Sequence, residues 1–144
     1  MVDGTFLTRN PEETETLGER IGREFPGAGL LVLDGPLGSG KTTFVRGFAK
    51  GIGVNPARVS SPSFTLVQDY GLFYHVDLYR LRESGIGELV EAGIVEILED
   101  DRPVVMEWMH EDLLAKYPPL LTIRFAWGDA EDTRQITLYG IMDR

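Results

Sequence analysis

Cysteine is absent from the 144 residues, which excludes disulfides and thiolate zinc sites. No apolar run approaches the roughly 20 residues that a bilayer-spanning helix needs. The N-terminus shows no basic segment followed by an apolar core, so no signal peptide is expected and the expected location is cytoplasmic. Positive charge is thin: 14 Lys and Arg stand against 23 Asp and Glu, a net charge of −9. Phosphate backbones are gripped by clustered Lys and Arg, so this surface is not expected to grip nucleic acid (DNA or RNA) unaided; an RNA-related role through a partner stays open. Internal repeats and low-complexity segments are also missing. The length suits one domain spanning 1–144 with a real core and leaves little room for a second.

The most informative stretch is Leu30 to Thr43. Leu30-Leu31-Val32-Leu33 reads as a buried strand. Gly35-Pro36-Leu37-Gly38-Ser39-Gly40-Lys41-Thr42 then fits the P-loop pattern G-x-x-x-x-G-K-[ST]. Phe44, Val45, Phe48, Ala49 and Ile52 follow at helical spacing. Strand, glycine loop and helix come in the order the motif requires. Glycines free the loop to turn its amides inward on an anion, and the helix start adds unpaired N–H groups and the positive dipole end. Gly38, Ser39, Gly40, Lys41, Thr42 and Thr43 are therefore the expected nucleotide-binding set. Lys41 supplies a mobile cation for the outer phosphates, and the Thr42 hydroxyl is the expected Mg²⁺ ligand. The competing interpretation is a glycine turn that merely matches the pattern. It leaves the flanking strand and helix unexplained.

Elsewhere the chain alternates strands and helices. Gly4 to Thr8 reads as a short edge strand. Asn10, Pro11 and Glu13 mark a helix start, with Leu17, Ile21 and Phe25 on one face and Pro26-Gly27 as its stop. Residues just before this helix are candidates to flank a nucleotide base. Val67 to Tyr70 and Phe73 to Val76 read as a hairpin around Gly71. Glu83 to Asp101 reads as two short helices broken near Gly93. Asp112-Leu113-Leu114 is a helical turn closed by Pro118-Pro119. Leu121, Ile123 and Phe125 alternate, as do Ile136 and Leu138, which predicts a C-terminal antiparallel hairpin. The fold class is α/β: a P-loop NTPase-like single domain with a mixed central sheet flanked by helices.

Two acids stand at the ends of apolar strands, Asp77 after Phe73 to Val76 and Glu107 after Val104-Val105-Met106. In a parallel sheet the carboxyl ends of strands form the active-site edge. Both acids compete for the metal role, and either could instead be a structural partner of a backbone amide. His75 shares a face with Asp77 by alternation and reads as a packed, hydrogen-bonded residue. The hydroxyl-rich segment around Pro62, with Ser61, Ser63 and Thr65, lies where a switch-like loop would sense a γ-phosphate. An ordinary Ser/Pro connection is the plainer alternative.

Several segments together resemble one family. Leu17-Gly18-Glu19-Arg20, Gly35 to Phe48, Ser61-Pro62-Ser63-Phe64-Thr65-Leu66-Val67, Tyr70, His75-Val76-Asp77-Leu78-Tyr79-Arg80-Leu81, Gly93 and Glu107-Trp108 occur in order. They resemble TsaE, also called YjeE: small bacterial P-loop ATPases needed for threonylcarbamoyladenosine modification of tRNA. Ser63 keeps the hydroxyl that the family carries there. The family often has Pro after Glu-Trp, where this chain has Met109-His110. The resemblance implies ATP and Mg²⁺ as cofactors and TsaB and TsaD as partners, with TsaD carrying the transferase chemistry. On it, Thr42 and Glu107 look like metal ligands, Asp77 like the Walker B-type acid, and Lys41 and Asp77 like the catalytic pair.

Two other function classes share the P-loop. A small-molecule kinase would need an arginine-rich lid, yet the segment between Arg80 and Arg102 is acidic. A GTPase-like switch would need an Asn-Lys-x-Asp segment, which is absent. An arginine finger is unassigned, with Arg46, Arg80 and Arg102 as candidates.

Overall fold

The chain is described from a computed structural model, which covers residues 4–62 and 65–140; Ser63 and Phe64, part of the expected switch-like loop, lie outside the described residues. Alternation along the central strands decides the architecture. In β2 (Gly29–Asp34), Leu31 and Leu33 face one apolar layer while Leu30 and Val32 face the other. A strand buried on both faces needs helices on both sides, and it has them.

One layer is built by α1 (Pro11–Glu24) and α2 (Lys41–Ile52), the other by α3 (Ile86–Glu91), α4 (Ile94–Leu98) and α5 (Glu111–Lys116). The remaining strands are β1 (Gly4–Thr8), β3 (Val67–Asp69), β4 (Tyr74–Asp77), β5 (Pro103–Glu107), β6 (Leu121–Trp127) and β7 (Arg134–Gly140). Their order across the seven-stranded sheet is β1-β7-β6-β2-β5-β4-β3. The four central strands β6, β2, β5 and β4 run parallel. The edge strands β1, β7 and β3 pair antiparallel with their neighbours, so the sheet is mixed, as expected.

The expected elements are in place, with local adjustments. Asn10 accepts the Glu13 amide at 2.8 Å and so caps α1. The Glu13 carboxylate accepts the amide of Arg9 at 2.8 Å, one residue outside the usual capping box. The β3–β4 hairpin is shorter on its loop side than the apolar pattern suggests, because Asp69 turns to accept the Gly71 amide at 2.8 Å. The C-terminal hairpin β6–β7 forms as predicted, and β6 also joins β2 in parallel.

The layer that carries the P-loop is set by glycines. Gly18 and Gly22 of α1 face the backbone of α2, and Gly47 and Gly51 of α2 face the backbone of α1. A Cβ at Gly18 would strike the carbonyl oxygen of Phe44; one at Gly47 would strike that of Glu15. The two helices thus touch backbone to backbone, and this contact fixes where the start of α2 lies over the sheet.

This geometry reverses an ordinary preference. Replacing an exposed helical glycine by alanine gains up to about 1 kcal/mol. Gly47→Ala should instead cost about 1–3 kcal/mol by overpacking, read as a lower urea midpoint. Gly87→Ala in α3, where a Cβ meets nothing within 4 Å, should be neutral or stabilising in the same assay.

Candidate functional site

The site forms where β2 hands over to α2. At Gly40, the N-cap of α2, φ is 106°, and at Gly38 it is 77°, both in the left-handed region that favours glycine. Gly35 is closed in by the Phe125 carbonyl oxygen, 2.8 Å from where a Cβ would stand. The Ser39 hydroxyl is buried with no hydrogen-bond partner among the described residues. The loop encloses a cavity of about 250 Å³.

Gly38, Gly40, Lys41, Thr42, Thr43, Ser61, Asp77 and Glu107 line this cavity. Strand register explains why the two acids meet. Glu107 ends β5 and pairs with Leu33 of β2 on one side and with Asp77 of β4 on the other. Both carboxylates therefore stand side by side at the carboxyl edge, with Glu107 nearer the P-loop strand. Ser39 of the P-loop is fully buried and does not line the cavity. Of the switch-loop candidates, Ser61 lines it, Thr65 is exposed and does not, and Ser63 lies outside the described residues.

Lys41 is 5% exposed and folded inward. Its ammonium donates to the Gly35 carbonyl at 2.7 Å and lies 3.7 Å from Glu107 Oε1. The face of Trp108 covers it, with the ring centroid at 5.0 Å. Trp108 itself adopts φ 58°, unusual for a bulky residue, directly after Glu107. Its ring packs edge-on against Tyr79, 4.9 Å away between centroids. The other Glu107 oxygen, Oε2, is 2.6 Å from His75 Nε2, and His75 is fully buried. Asp77 Oδ1 accepts the Tyr79 amide at 2.9 Å. The Met109-His110 departure is accommodated locally: His110 Nδ1 accepts the Asp112 amide at 3.2 Å and caps α5.

Burial holds the Asp77 carboxyl above its ordinary value of 3.8, and repulsion from Glu107 adds to this; the Tyr79 amide, His75 and Lys41 pull the other way. The donor set suits Mg²⁺, which takes hard oxygen ligands and is commonly held by one or two carboxylates with substrate phosphates and water. Thr42, Asp77 and Glu107 offer such oxygens on one cavity wall, and the inward loop glycines leave room for phosphates.

The cavity also has walls whose residues sequence reasoning did not name. Pro11 and Thr14 come from the start of α1, and Asp132 and Arg134 from the β6–β7 hairpin. The sequence places its base-flanking candidates just before this helix, whereas the cavity is lined from within its first turn; Asp132 and Arg134 carry no signature beyond polarity. Arg134 reaches the Gly38 carbonyl at 3.4 Å and stacks over Trp127 at 4.7 Å. None of Arg46, Arg80 and Arg102 lines the cavity. The place of Arg102 shows why. It precedes β5, at the opposite edge of the sheet, and pairs with Asp69 at 2.9 Å and Asp100 at 3.0 Å.

Known proteins resemble this chain along most of its length. A family model described as "Threonylcarbamoyl adenosine biosynthesis protein TsaE" matches residues 8–136. A tRNA threonylcarbamoyladenosine biosynthesis protein TsaE of Bacillus subtilis is 34% identical, over 96% of this chain and 87% of that protein. One from Aquifex aeolicus is 41% identical over 67% of this chain and 78% of its own length. A crystal structure of Bacillus subtilis YdiB superposes with a TM-score of 0.70 at 29% identity, covering 97% of this chain and 86% of the other.

The raised Asp77 value has a measurable consequence. Well below pH 3.8 the residue is protonated in folded and unfolded chains alike. As pH rises, the unfolded chain ionises first, so the folded state loses stability until its own higher value is passed. Asp77→Asn keeps the Oδ1 acceptor and removes the charge. It should raise the Tm of the nucleotide-free chain at neutral pH, by an amount that shrinks as pH falls toward 3.8. A lower Tm at neutral pH would show that the charge is no burden to the fold.

Proposed function

The chain belongs to the TsaE family of tRNA threonylcarbamoyladenosine biosynthesis, and from that premise we propose that it is a Mg²⁺-dependent ATPase acting through a TsaB–TsaD-like complex. The observation that carries the proposal is the convergence of Lys41, Thr42, Asp77 and Glu107 on one glycine-lined cavity.

The residues divide the work as follows. Inward amides of Gly38 to Thr43 receive the phosphates at the start of α2. Lys41 leaves the Gly35 carbonyl and Glu107 to meet the outer phosphate oxygens, which accumulate charge as the γ-phosphoryl group departs. Thr42 and Glu107 would hold the metal ion, which would supply positive charge to offset that on the phosphates. Asp77 would orient the attacking water. The products are ADP and inorganic phosphate. The base lies toward Pro11, Thr14 and the β6–β7 hairpin, the remaining walls of the cavity.

Negative net charge suits protein partners better than direct tRNA contact. TsaD carries the transferase step on this reading, and ATP hydrolysis resets or supports the complex. No described helix is long and apolar enough to cross a membrane, in keeping with a cytoplasmic role.

Hydrolysis by the isolated protein should be slow, on the order of 10⁻² s⁻¹ or less, because none of Arg46, Arg80 and Arg102 lines the cavity and Arg134, which does, is engaged with the Gly38 carbonyl and the Trp127 ring; a partner that supplies a finger should raise it by about 10³–10⁵. Fast turnover alone would defeat this. Lys41→Ala should weaken ATP binding or abolish turnover, whereas Asp77→Ala should abolish turnover with binding largely kept. Pull-downs in ATP, a non-hydrolysable analogue and ADP should capture TsaB and TsaD in a nucleotide-dependent way. Capture indifferent to nucleotide would count against the partner role.

A further inference from the structure

His75 is fully buried on β4, between Gln68 of β3 and Val105 of β5 in register. A residue kept there for packing alone would be better apolar, since a buried ring nitrogen without a partner costs free energy. Nδ1 of His75 has no partner among the described residues. Nε2 does: it is 2.6 Å from Glu107 Oε2. With Glu107 ionised, that short contact requires the proton on Nε2, donated to the carboxylate.

The contact restricts the Glu107 carboxylate to turning about Oε2. Oε2 is held by His75, which directs Oε1 toward Lys41, 3.7 Å away at the P-loop. The neighbouring backbone is constrained as well, with Trp108 at φ 58° and the Leu78 amide donating to the Glu107 carbonyl at 3.0 Å. A carboxylate free to turn could offer both oxygens to a cation or close fully on Lys41. One pinned at Oε2 offers a single oxygen, which suits the octahedral, water-rich coordination of Mg²⁺.

We propose that His75 is a positioning residue that presents Glu107 to the metal through one oxygen. When Oε1 turns from Lys41 to the cation, His75 keeps Oε2. This rests on the reading of Glu107 as a metal ligand. Hydrogen-bonded partners of metal ligands are worth about 10–100-fold in metal affinity or activity.

The test uses the full chain with a non-hydrolysable ATP analogue and Mn²⁺, whose binding is read by electron paramagnetic resonance. His75→Leu should weaken Mn²⁺ about 10–100-fold while metal-free affinity for the analogue stays put. His75→Gln, whose amide nitrogen stands in for Nε2, should recover most of the loss. Unchanged Mn²⁺ affinity in His75→Leu, or no recovery in His75→Gln, would overturn the proposal. Glu107→Gln separates the two levels of the argument. Unchanged Mn²⁺ affinity there sinks the metal-ligand reading itself, whereas a loss there with none in His75→Leu sinks only the role of His75. If His75→Leu does not fold, the wild-type chain labelled with ¹⁵N-histidine decides. The proton should be on His75 Nε2 and stay protected from exchange when Mg²⁺ and the analogue are added. A proton on Nδ1 alone, or loss of protection on metal addition, would overturn the proposal.

Discussion

Glu107 joins the parts of this molecule that matter to its chemistry. Its carboxylate lies near the P-loop lysine through one oxygen and the β4 histidine through the other. Its backbone belongs to the strand between β2 and β4. A buried carboxylate needs partners to offset desolvation, and removing one partner from such a cluster costs more than the pair is worth in net stability. The arrangement is therefore poor as a source of stability and effective as a means of alignment. It ties the loop, the strand edge and the acid to one geometry before any ligand arrives.

That geometry has a mechanical base on one side of the sheet. Because α1 and α2 meet through glycines, α2 has little freedom to slide, and its first turn stays over the carboxyl edge. Phe44 and Phe48 of α2 are fully buried, and Phe44 packs edge-on against Phe125 of β6. Side-chain packing alone tolerates small shifts, whereas backbone contact does not. Close helix packing and a fixed phosphate loop are thus two results of the same glycine pattern.

How much of this was legible beforehand depended on range. The P-loop, its flanking strand and helix, both strand-tip acids and the C-terminal hairpin follow from local spacing, and each lies where the pattern puts it. The strand order does not follow from local spacing. Placing β5 between β2 and β4 is a long-range pairing, and it alone decides that Glu107, not Asp77, stands next to the P-loop strand. The sequence leaves Arg102 without a position for a related reason. A charge beside a strand in sequence lies at either edge depending on strand direction, and this one precedes β5. The Gly18/Gly22 and Gly47/Gly51 spacings were visible, yet glycines in a helical stretch also look like weak points until a facing helix is known. Arg134 and Asp132 carried no usable signal, because charged turn residues are ordinarily solvated. Ser63 lies outside the described residues, so the switch-like loop is documented at its flanks alone.

The two neighbouring carboxylates raise a last physical point. In parallel register, Asp77 and Glu107 stand side by side and repel each other, and the site meets this unequally. Glu107 is given a cation and an imidazole. Asp77 is held above its ordinary value chiefly by burial. On the proposed reading, a divalent cation held by Thr42 and Glu107 would relieve that repulsion while Lys41 becomes available to the phosphates. Metal, nucleotide and lysine would then not compete for the pocket. Each would improve the setting for the others, which is positive coupling among ligands of one site.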